Sequence, residues 1–544
     1  MPIINSVIAS GGIQPSGTKP IIANGVYDVT NYAYADVQVP TTAPDYYILK
    51  NKDSNNNLIS ASGFINLTGL TGIGSGALTY AYKNASLNID IDMSNIERIL
   101  SQGCAYMLSS SMVTGIDLSG LTTIYSNGCE RMFENCPSLI SADLSSLTTI
   151  SNTSSCAYMF YGCNHLTNAN LNSLTTVSGS YACDNMFRGC TSLTSIDLSG
   201  LTTISGTYAF NNAFSGCSSL TSFDLSNLTS VIATYGCYYM FQNCPLLTTV
   251  DLSNLTDVSG QYCCAYMFSG CSRITTVDLS GITVIGSYSC KNMFENCSSV
   301  TSFNLDSLQK VTGTLGCEFM FKNCTGLTTV SLPSLICVNG QYGLNDMFSG
   351  CSNITSADLS KMVVATYQST ERLFDACSSL TSVDFSSWTT INYGNQCQFM
   401  LRNCRSLTQV SFPALREVGA TGNFVNMLNG VTGCTVHFPS NLEAKMRSWS
   451  SVTGGFGGTN TTVLFDLPAT NHLTGVNEVI YERNPRFDTA TALAWRTKDS
   501  GTVPNLVVDW TPFYTSGTTD PSVGDTIYSD SACTTAVTTI SSIA

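Results

Sequence analysis

The stretch Cys183-Asp-Asn-Met-Phe-Arg-Gly-Cys190-Thr-Ser-Leu193-Thr-Ser-Ile196-Asp-Leu198-Ser-Gly-Leu201-Thr-Thr-Ile204 decides how this chain folds. It recurs every 25 to 27 residues, and self-similarity at such a period marks a solenoid whose stacked coils share one core. In its second half Ile196 and Leu198 point one way while Ser195, Asp197 and Ser199 point the other, the period-two pattern of a strand. In its first half Cys183, Met186, Phe187 and Cys190 stand at i, i+3, i+4 and i+7, which predicts a short amphipathic helix of two turns. Gly189, replaced by Asn in sister repeats, sits where that helix should stop.

The strand half follows the leucine-rich spacing L-x-x-L-x-L-x-x-x-L. Its third apolar position runs along the chain as Leu67, Met93, Leu118, Leu144, Leu171, Leu198, Leu225, Leu252, Leu279, Leu305, Leu332, Leu359, Phe385, Phe412 and Phe438. The expected fold class is therefore an α/β solenoid, a leucine-rich repeat array of about 15 coils, each a short parallel strand, a turn and a short helix. Stacked strands should lie about 4.8 Å apart. The array is expected over 64–448, its last residues forming a cap. Linkers are expected at 46–63 and 449–470, and small β modules at 1–45 and 471–544.

Composition narrows the function. Charged residues make up only 11% of the 544 residues and the net charge is −14. An acidic, lysine-poor chain is unsuited to nucleic-acid phosphate, so no nucleic-acid partner is expected. No apolar run reaches the roughly 20 residues of a spanning helix, so membrane insertion is not expected. The first residues, Met1-Pro-Ile-Ile-Asn5, lack a basic or apolar leader segment, and no signal peptide is expected. His165, His437 and His472 are far apart, and nucleophile elbows, phosphate loops and HExxH motifs are absent. The glycine-rich Thr453–Gly458 lacks the Lys-Ser of a phosphate loop and reads as a loop. The expectation is no enzyme and no cofactor.

Most cysteines fall into two columns of a Cys-x6-Cys repeat. The second column includes Cys136, Cys163, Cys190, Cys217, Cys244, Cys271, Cys297 and Cys324, continuing to Cys351, Cys377 and Cys404. The first column alternates Cys with Phe210, Leu344, Thr370 and Phe424, a substitution pattern of an apolar site and not of disulfide partners. If the segment is helical, the two columns are about 10.5 Å apart, too far for a bond within one unit. The reading is buried, reduced thiols acting as small hydrophobes. Zinc needs four converging ligands, and no CxxC pair or neighbouring His supplies them.

The outward strand positions hold Asp117, Asp143, Asp197, Asp224, Asp251, Asp278, Asp358 and Asp384, flanked by Ser or Thr. One reading is a solvated face on which Asp accepts local hydrogen bonds. The other is a ligand face for a basic or polyhydroxyl partner, because polar solenoid faces suit extended ligands. Calcium wants six to eight oxygens, more than one Asp per coil supplies.

The unit Met-Phe-x-[Gly/Asn]-Cys-x-Ser-Leu-Thr-x-x-Asp-Leu-Ser resembles the BspA-type leucine-rich repeats of bacterial and protozoan surface proteins. Ser331-Leu332-Pro333 and Ser411-Phe412-Pro413 resemble the proline-ending strand of that family. The resemblance implies a binding or adhesion scaffold. At the N-terminus, Ile21-Ile-Ala-Asn24-Gly25-Val-Tyr-Asp28-Val with Tyr32-Ala33 and Val37-Gln-Val-Pro40 resembles a small β module of bacteriophage tail and virion proteins. Val26 stands where that module usually carries Thr. Asn24-Gly25 between β-rich runs is a hairpin signal. Five β-prone runs follow residue 471: Val476–Tyr481, Thr491–Trp495, Leu506–Trp510, Thr526–Tyr528 and Val537–Ile543. Pro521–Tyr528 resembles C-terminal β modules of phage fibre-like proteins.

Together these resemblances imply a non-enzymatic virion protein, a tail-fibre or appendage adhesin. It would be made in the host cytoplasm and bound to other virion proteins through its N-terminal module. It would meet a host surface glycan or protein, and a homo-oligomer is compatible with this reading. A bacterial BspA-like surface adhesin is the alternative, and a head fibre is a variant of the first reading. The missing leader favours the phage reading, because phage proteins assemble in the cytosol, where thiols also stay reduced.

Overall fold

The computed structural model describes residues 91–365, 368–392, 394–419, 421–447 and 454–466 without break, together with shorter stretches between 25 and 84 and between 479 and 539. The fifteen strand positions bound a parallel-strand solenoid of about 14 turns. Chain contacts divide it into one unit of residues 1–281 with 292–303 and another of 282–291 with 304–544.

In the first unit, seven strands pair side by side in parallel: Ile65–Asn66, Ile91–Asp92, Gly115–Asp117, Ser141–Asp143, Asn168–Asn170, Ser195–Asp197 and Ser222–Asp224. Register is set one coil to the next, with Ser195 opposite Ser222, Ile196 opposite Phe223 and Asp197 opposite Asp224. A second parallel ladder, not foreseen from the sequence, is formed by the Leu-Thr-Thr-Ile segments; Thr149–Ile150, Thr176–Val177, Thr203–Ile204 and Ser230–Val231 form one of its sheets. In the second unit Ser356–Asp358 lies between Thr329–Ser331 and Ser382–Asp384, and Thr435–Pro439 between Gln409–Ser411 and Thr462–Asp466.

Side-chain period sorts inside from outside as the spacing requires. Cys183, Met186, Phe187, Cys190, Leu193, Leu198, Leu201 and Ile204 are all wholly buried, while Ser195 and Asp197 are exposed. The buried phenylalanines stack one per coil, Phe133 on Phe160 at 5.3 Å, Phe160 on Phe187 at 5.1 Å and Phe187 on Phe214 at 5.2 Å. Offset ring stacks of this kind add to their large apolar burial.

The predicted two-turn helix is absent. Among the described residues the one α-helix is Glu443–Arg447, and the segment from Tyr181 to Cys190 is a ribbon of linked turns. Its amides alternate between two destinations. Asp184, Met186, Arg188 and Cys190 donate to the carbonyl three residues back, whereas Cys183, Asn185, Phe187 and Gly189 donate to Ala209, Asn211, Ala213 and Ser215 of the next coil. Every fourth residue is left-handed: Tyr181 (φ 56°), Asn185 (φ 52°) and Gly189 (φ 74°). A helix would close all these amides on itself and leave none for the neighbouring coil. The apolar spacing i, i+3, i+4, i+7 fits the four-residue ribbon equally well, which is why it misled.

Gly25–Asp28 pairs in parallel with Tyr47–Lys50; the run before Asn24 that a hairpin at Asn24-Gly25 would bring back lies outside the described residues. Tyr47–Lys50 also falls inside the expected 46–63 linker. The expected 449–470 linker contains a 3-10 turn at Gly454–Phe456 and the strand Thr462–Asp466, which extends the parallel ladder in register with Thr435–Pro439. Toward the C-terminus, Val479–Arg483, Leu493–Thr497 and Val507–Asp509 form an antiparallel sheet, as do Thr526–Tyr528 and Ala536–Thr539. Apart from these strands, the modules expected at 1–45 and 471–544 lie outside the described residues.

Candidate interaction face

Each Asp of the outward column ends a strand and starts a tight turn. The Ser199 amide donates to Asp197 Oδ1 (2.9 Å), Ser226 to Asp224 (2.9 Å) and Ser253 to Asp251 (3.0 Å). The same bond joins Ser119 to Asp117, Ser145 to Asp143, Ser280 to Asp278, Ser360 to Asp358 and Ser386 to Asp384. Where the column holds Asn170 instead, its Oδ1 accepts from Asn172 in the same way at 3.3 Å. The column is thus first a turn-forming device, of the kind that makes Asp and Asn frequent at such positions. Asp197, Asp224 and Asp251 are exposed, and each commits one carboxylate oxygen to its turn.

The hydroxyls beside this row are also partly spoken for. Thr202 Oγ1 donates to the Thr175 carbonyl (3.1 Å), Thr229 to Thr202 (3.1 Å) and Thr256 to Thr229 (3.2 Å), so threonine clamps successive coils.

The eight cysteines from Cys136 to Cys324 of the second column are buried, and their thiols also make hydrogen bonds. Thiols of the second column reach the carbonyl of the Phe three residues before their counterpart in the preceding coil: Cys163 to Phe133 (2.9 Å), Cys190 to Phe160 (3.1 Å), Cys217 to Phe187 (3.2 Å), Cys244 to Phe214 (3.2 Å), Cys271 to Phe241 (3.1 Å) and Cys297 to Phe268 (3.2 Å). Cys136 bonds the Leu108 carbonyl in the same manner at 2.9 Å, and Cys324 is likewise buried. Cysteine is small enough for the core and still supplies a weak donor. All 23 described cysteines are buried thiols. Burial pushes the thiols of Cys156, Cys217 and Cys271 up to about 12. Where Thr370 takes the first-column position it is buried and donates to the Gln396 carbonyl at 2.7 Å.

The sequence reading missed a tyrosine column on the turn ribbon of the first unit. Tyr181, Tyr208, Tyr235 and Tyr262 stack ring on ring at 4.9, 4.5 and 4.8 Å, with interplanar angles of 7°, 6° and 7°. The signal was a Tyr every 27 residues, two positions before the first cysteine column. Beside it, Asp184 is almost fully buried and accepts from Asn185 Nδ2 (2.7 Å) and Asn211 Nδ2 (2.8 Å). Burial raises the Asp184 carboxyl to about 6, against the opposing effect of the two amides and Arg188.

On the ribbon of the second unit charges gather and pair: Lys291 with Glu318, Arg372 with Glu371 at 3.2 Å, and Arg402 Nε with Asp375 Oδ1 at 2.9 Å. Lys322 lies 4.3 Å above the Phe319 ring and Arg402 5.0 Å from that of Phe399. Among the described residues no group of three or more His, Cys, Asp or Glu side chains could hold a metal ion, and no helix is long and apolar enough to cross a membrane.

A leucine-rich repeat protein of Bacteroides ovatus is similar at 20% identity over 67% of this chain and 87% of its own, with a TM-score of 0.38. A leucine-rich repeat protein of Leptospira interrogans is similar at 10% identity over 69% of this chain and 95% of its own, with a TM-score of 0.21. The Drosophila Toll–Spätzle complex contains a chain similar at 10% identity over 75% of this one and 63% of that one, with a TM-score of 0.27. No curated protein is significantly similar. The family described as BspA type leucine rich repeat region matches residues 71–213, 184–315 and 290–427. With two-thirds of its length in such repeats, and with their strands, buried Met-Phe pairs and cysteine columns in place, the chain belongs to the BspA-type leucine-rich repeat family.

Proposed function

We propose that this protein is a non-enzymatic bacteriophage virion component, a tail-fibre or appendage adhesin that meets a host surface glycan or protein through its repeats. The observation that carries the adhesive reading is the register of exposed side chains. Asp197 stands opposite Asp224 and Ser195 opposite Ser222, so the same donors and acceptors recur at about 4.8 Å. A repetitive, extended partner would make many weak contacts along such a row, multiplied by the copies on a particle. The Asp side chains all occupy one environment, each held by the amide two residues on. Glycoside hydrolysis needs two carboxylates in unlike settings. The virion assignment is supported by the resemblance of Ile21–Pro40 to a phage β module. A head fibre would use the same parts.

A bacterial BspA-like surface adhesin is the second reading, favoured by the family match over 71–427. Immunogold electron microscopy with an antibody to residues 471–544 separates the two in an infected culture. Gold on phage tails or heads is the expected result. Gold on intact cell envelopes with none on particles overturns the virion reading and leaves the bacterial adhesin.

A further inference from the structure

Tyr181, Tyr208, Tyr235 and Tyr262 all hold φ between 56° and 57°, a left-handed backbone that Asn and Gly adopt readily and bulky residues avoid. The position is left-handed along the whole ribbon, at Asn127 (φ 57°) and Ser154 (φ 51°) before these tyrosines and at Tyr288 (φ 59°), Leu315 (φ 55°) and Gln368 (φ 53°) after them. What sets these coils apart is the unbroken run of tyrosines that fills it, four of them stacked ring on ring.

Stacked face to face, the rings offer solvent their edges and hydroxyls. At Tyr181 the stack ends. Tyr208 covers one side of that ring, the short Ser154 occupies the column on the other side, and the residue is 42% exposed. Next to this open ring runs an ordered polar chain. Arg188 Nη1 donates to Asn185 Oδ1 (3.1 Å), Asn185 and Asn211 donate to Asp184, and Asn212 donates to Asn211 Oδ1 (3.0 Å). Asp184 and Asn185 are more than nine-tenths buried, so the network is fixed before any ligand arrives.

We propose that this strip, from Tyr181 to Tyr262 with the Asp184–Asn185–Asn211 network, binds a neutral polysaccharide. This rests on the adhesin reading above and places a sugar site on the turn ribbon, away from the Asp row. A hexose has an apolar C–H face, which the open face of Tyr181 can take, and hydroxyls, which the phenol edges of the stack can bond. An extended sugar chain advances by roughly one residue per coil spacing of about 4.8 Å. Neutrality follows from charge. The local Asp184 and Arg188 offset one another, and a net charge of −14 repels acidic polymers.

The test is native affinity electrophoresis of the full chain in gels containing mannan, laminarin or, as an acidic control, alginate. The expected result is retardation in at least one neutral gel and none in alginate. The double variant Tyr181→Asn with Tyr208→Asn places a residue suited to the left-handed backbone at both sites. It should melt at the wild-type temperature yet lose at least tenfold in apparent affinity, whereas Tyr181→Phe keeps the ring and retains binding. Unchanged retardation of the folded double variant overturns the site. So does equal retardation in alginate, or none in either neutral gel. None of these outcomes bears on where gold lands in the immunogold experiment, so failure here and failure of the adhesin reading are told apart.

Discussion

Cys190 Sγ lies 3.1 Å from the carbonyl oxygen of Phe160, one coil back. That carbonyl also accepts the Cys163 amide of its own ribbon at 3.1 Å, so the thiol is a second donor that reaches it from the next coil, and the contact repeats from coil to coil. The cysteine column is therefore a set of inter-coil bonds inside an apolar core.

Cys190→Ala removes that second donor and opens a small void. The Phe160 carbonyl keeps the Cys163 amide, so the expected loss from the bond is about 0.5–1.5 kcal/mol, with Cys190→Ser, which keeps a hydroxyl donor, losing less at that carbonyl. Urea unfolding measures the total. Hydrogen exchange shows whether protection falls first at the Phe160 and Phe187 amides, as the local bond requires. Repeat arrays need the second measurement because they do not always unfold in one step.

Thiol chemistry should be silent at the mid-array core cysteines of the native protein. With Cys217 and Cys271 pushed up to about 12 by burial, almost no thiolate exists at pH 8. An aromatic disulfide reagent at pH 8 is expected to leave Cys217 and Cys271 unmodified until guanidinium is added. Rapid native modification of Cys217 or Cys271 would contradict their burial.

Gly206 packs against the backbone of Gly179 in the preceding coil, and a Cβ there would fall on the Gly179 carbonyl oxygen. Gly206→Ala should destabilise by at least about 1–3 kcal/mol, the range for overpacking a rigid interior. Gly115→Ala meets nothing within 4 Å and serves as the neutral comparison in thermal melts.

Asp184 and Asp346 both sit at about 6, raised above 3.8 chiefly by burial. In the native state each holds its proton over a range where the unfolded chain has lost it. Stability from these groups is therefore greatest near pH 4 and declines as pH rises to about 6. Asp184→Asn should flatten part of that slope and raise stability at pH 7.5 by about 1–3 kcal/mol. Melting temperatures between pH 4 and 8 provide the check.

Asp197→Asn, Asp224→Asn and Asp251→Asn together keep the turns, since Asn170 makes the same bond in the wild type. Circular dichroism and melting should stay unchanged while attachment to host cells falls several-fold and loses its salt dependence. Full attachment would remove the Asp row from the contact surface.

Much of this could be read from one strand of text. Ile196, Leu198, Leu201 and Ile204 declared their side of the sheet because side chains alternate along any strand, whatever its neighbours. The burial of Cys183, Met186, Phe187 and Cys190 was legible for a similar reason: spacing reports which face is apolar. The conformation of that segment was not legible, because its spacing suits a helix and a four-residue turn ribbon alike. Asp197 was visible as an outward acid, but its commitment to the Ser199 amide depends on a turn only the folded backbone defines. Tyr181 and its successors stood in the sequence at a fixed interval, yet nothing in that interval says that their rings touch.

The sequence by itself determined the repeat, its period, the strand positions and the identity of the core, since these follow from apolar periodicity within each coil. Tertiary structure decided where the amides of the ribbon point, why cysteine occupies its column, and how the tyrosines stack. Each of those depends on an atom about 27 residues away that becomes a neighbour only when one coil lies on the next.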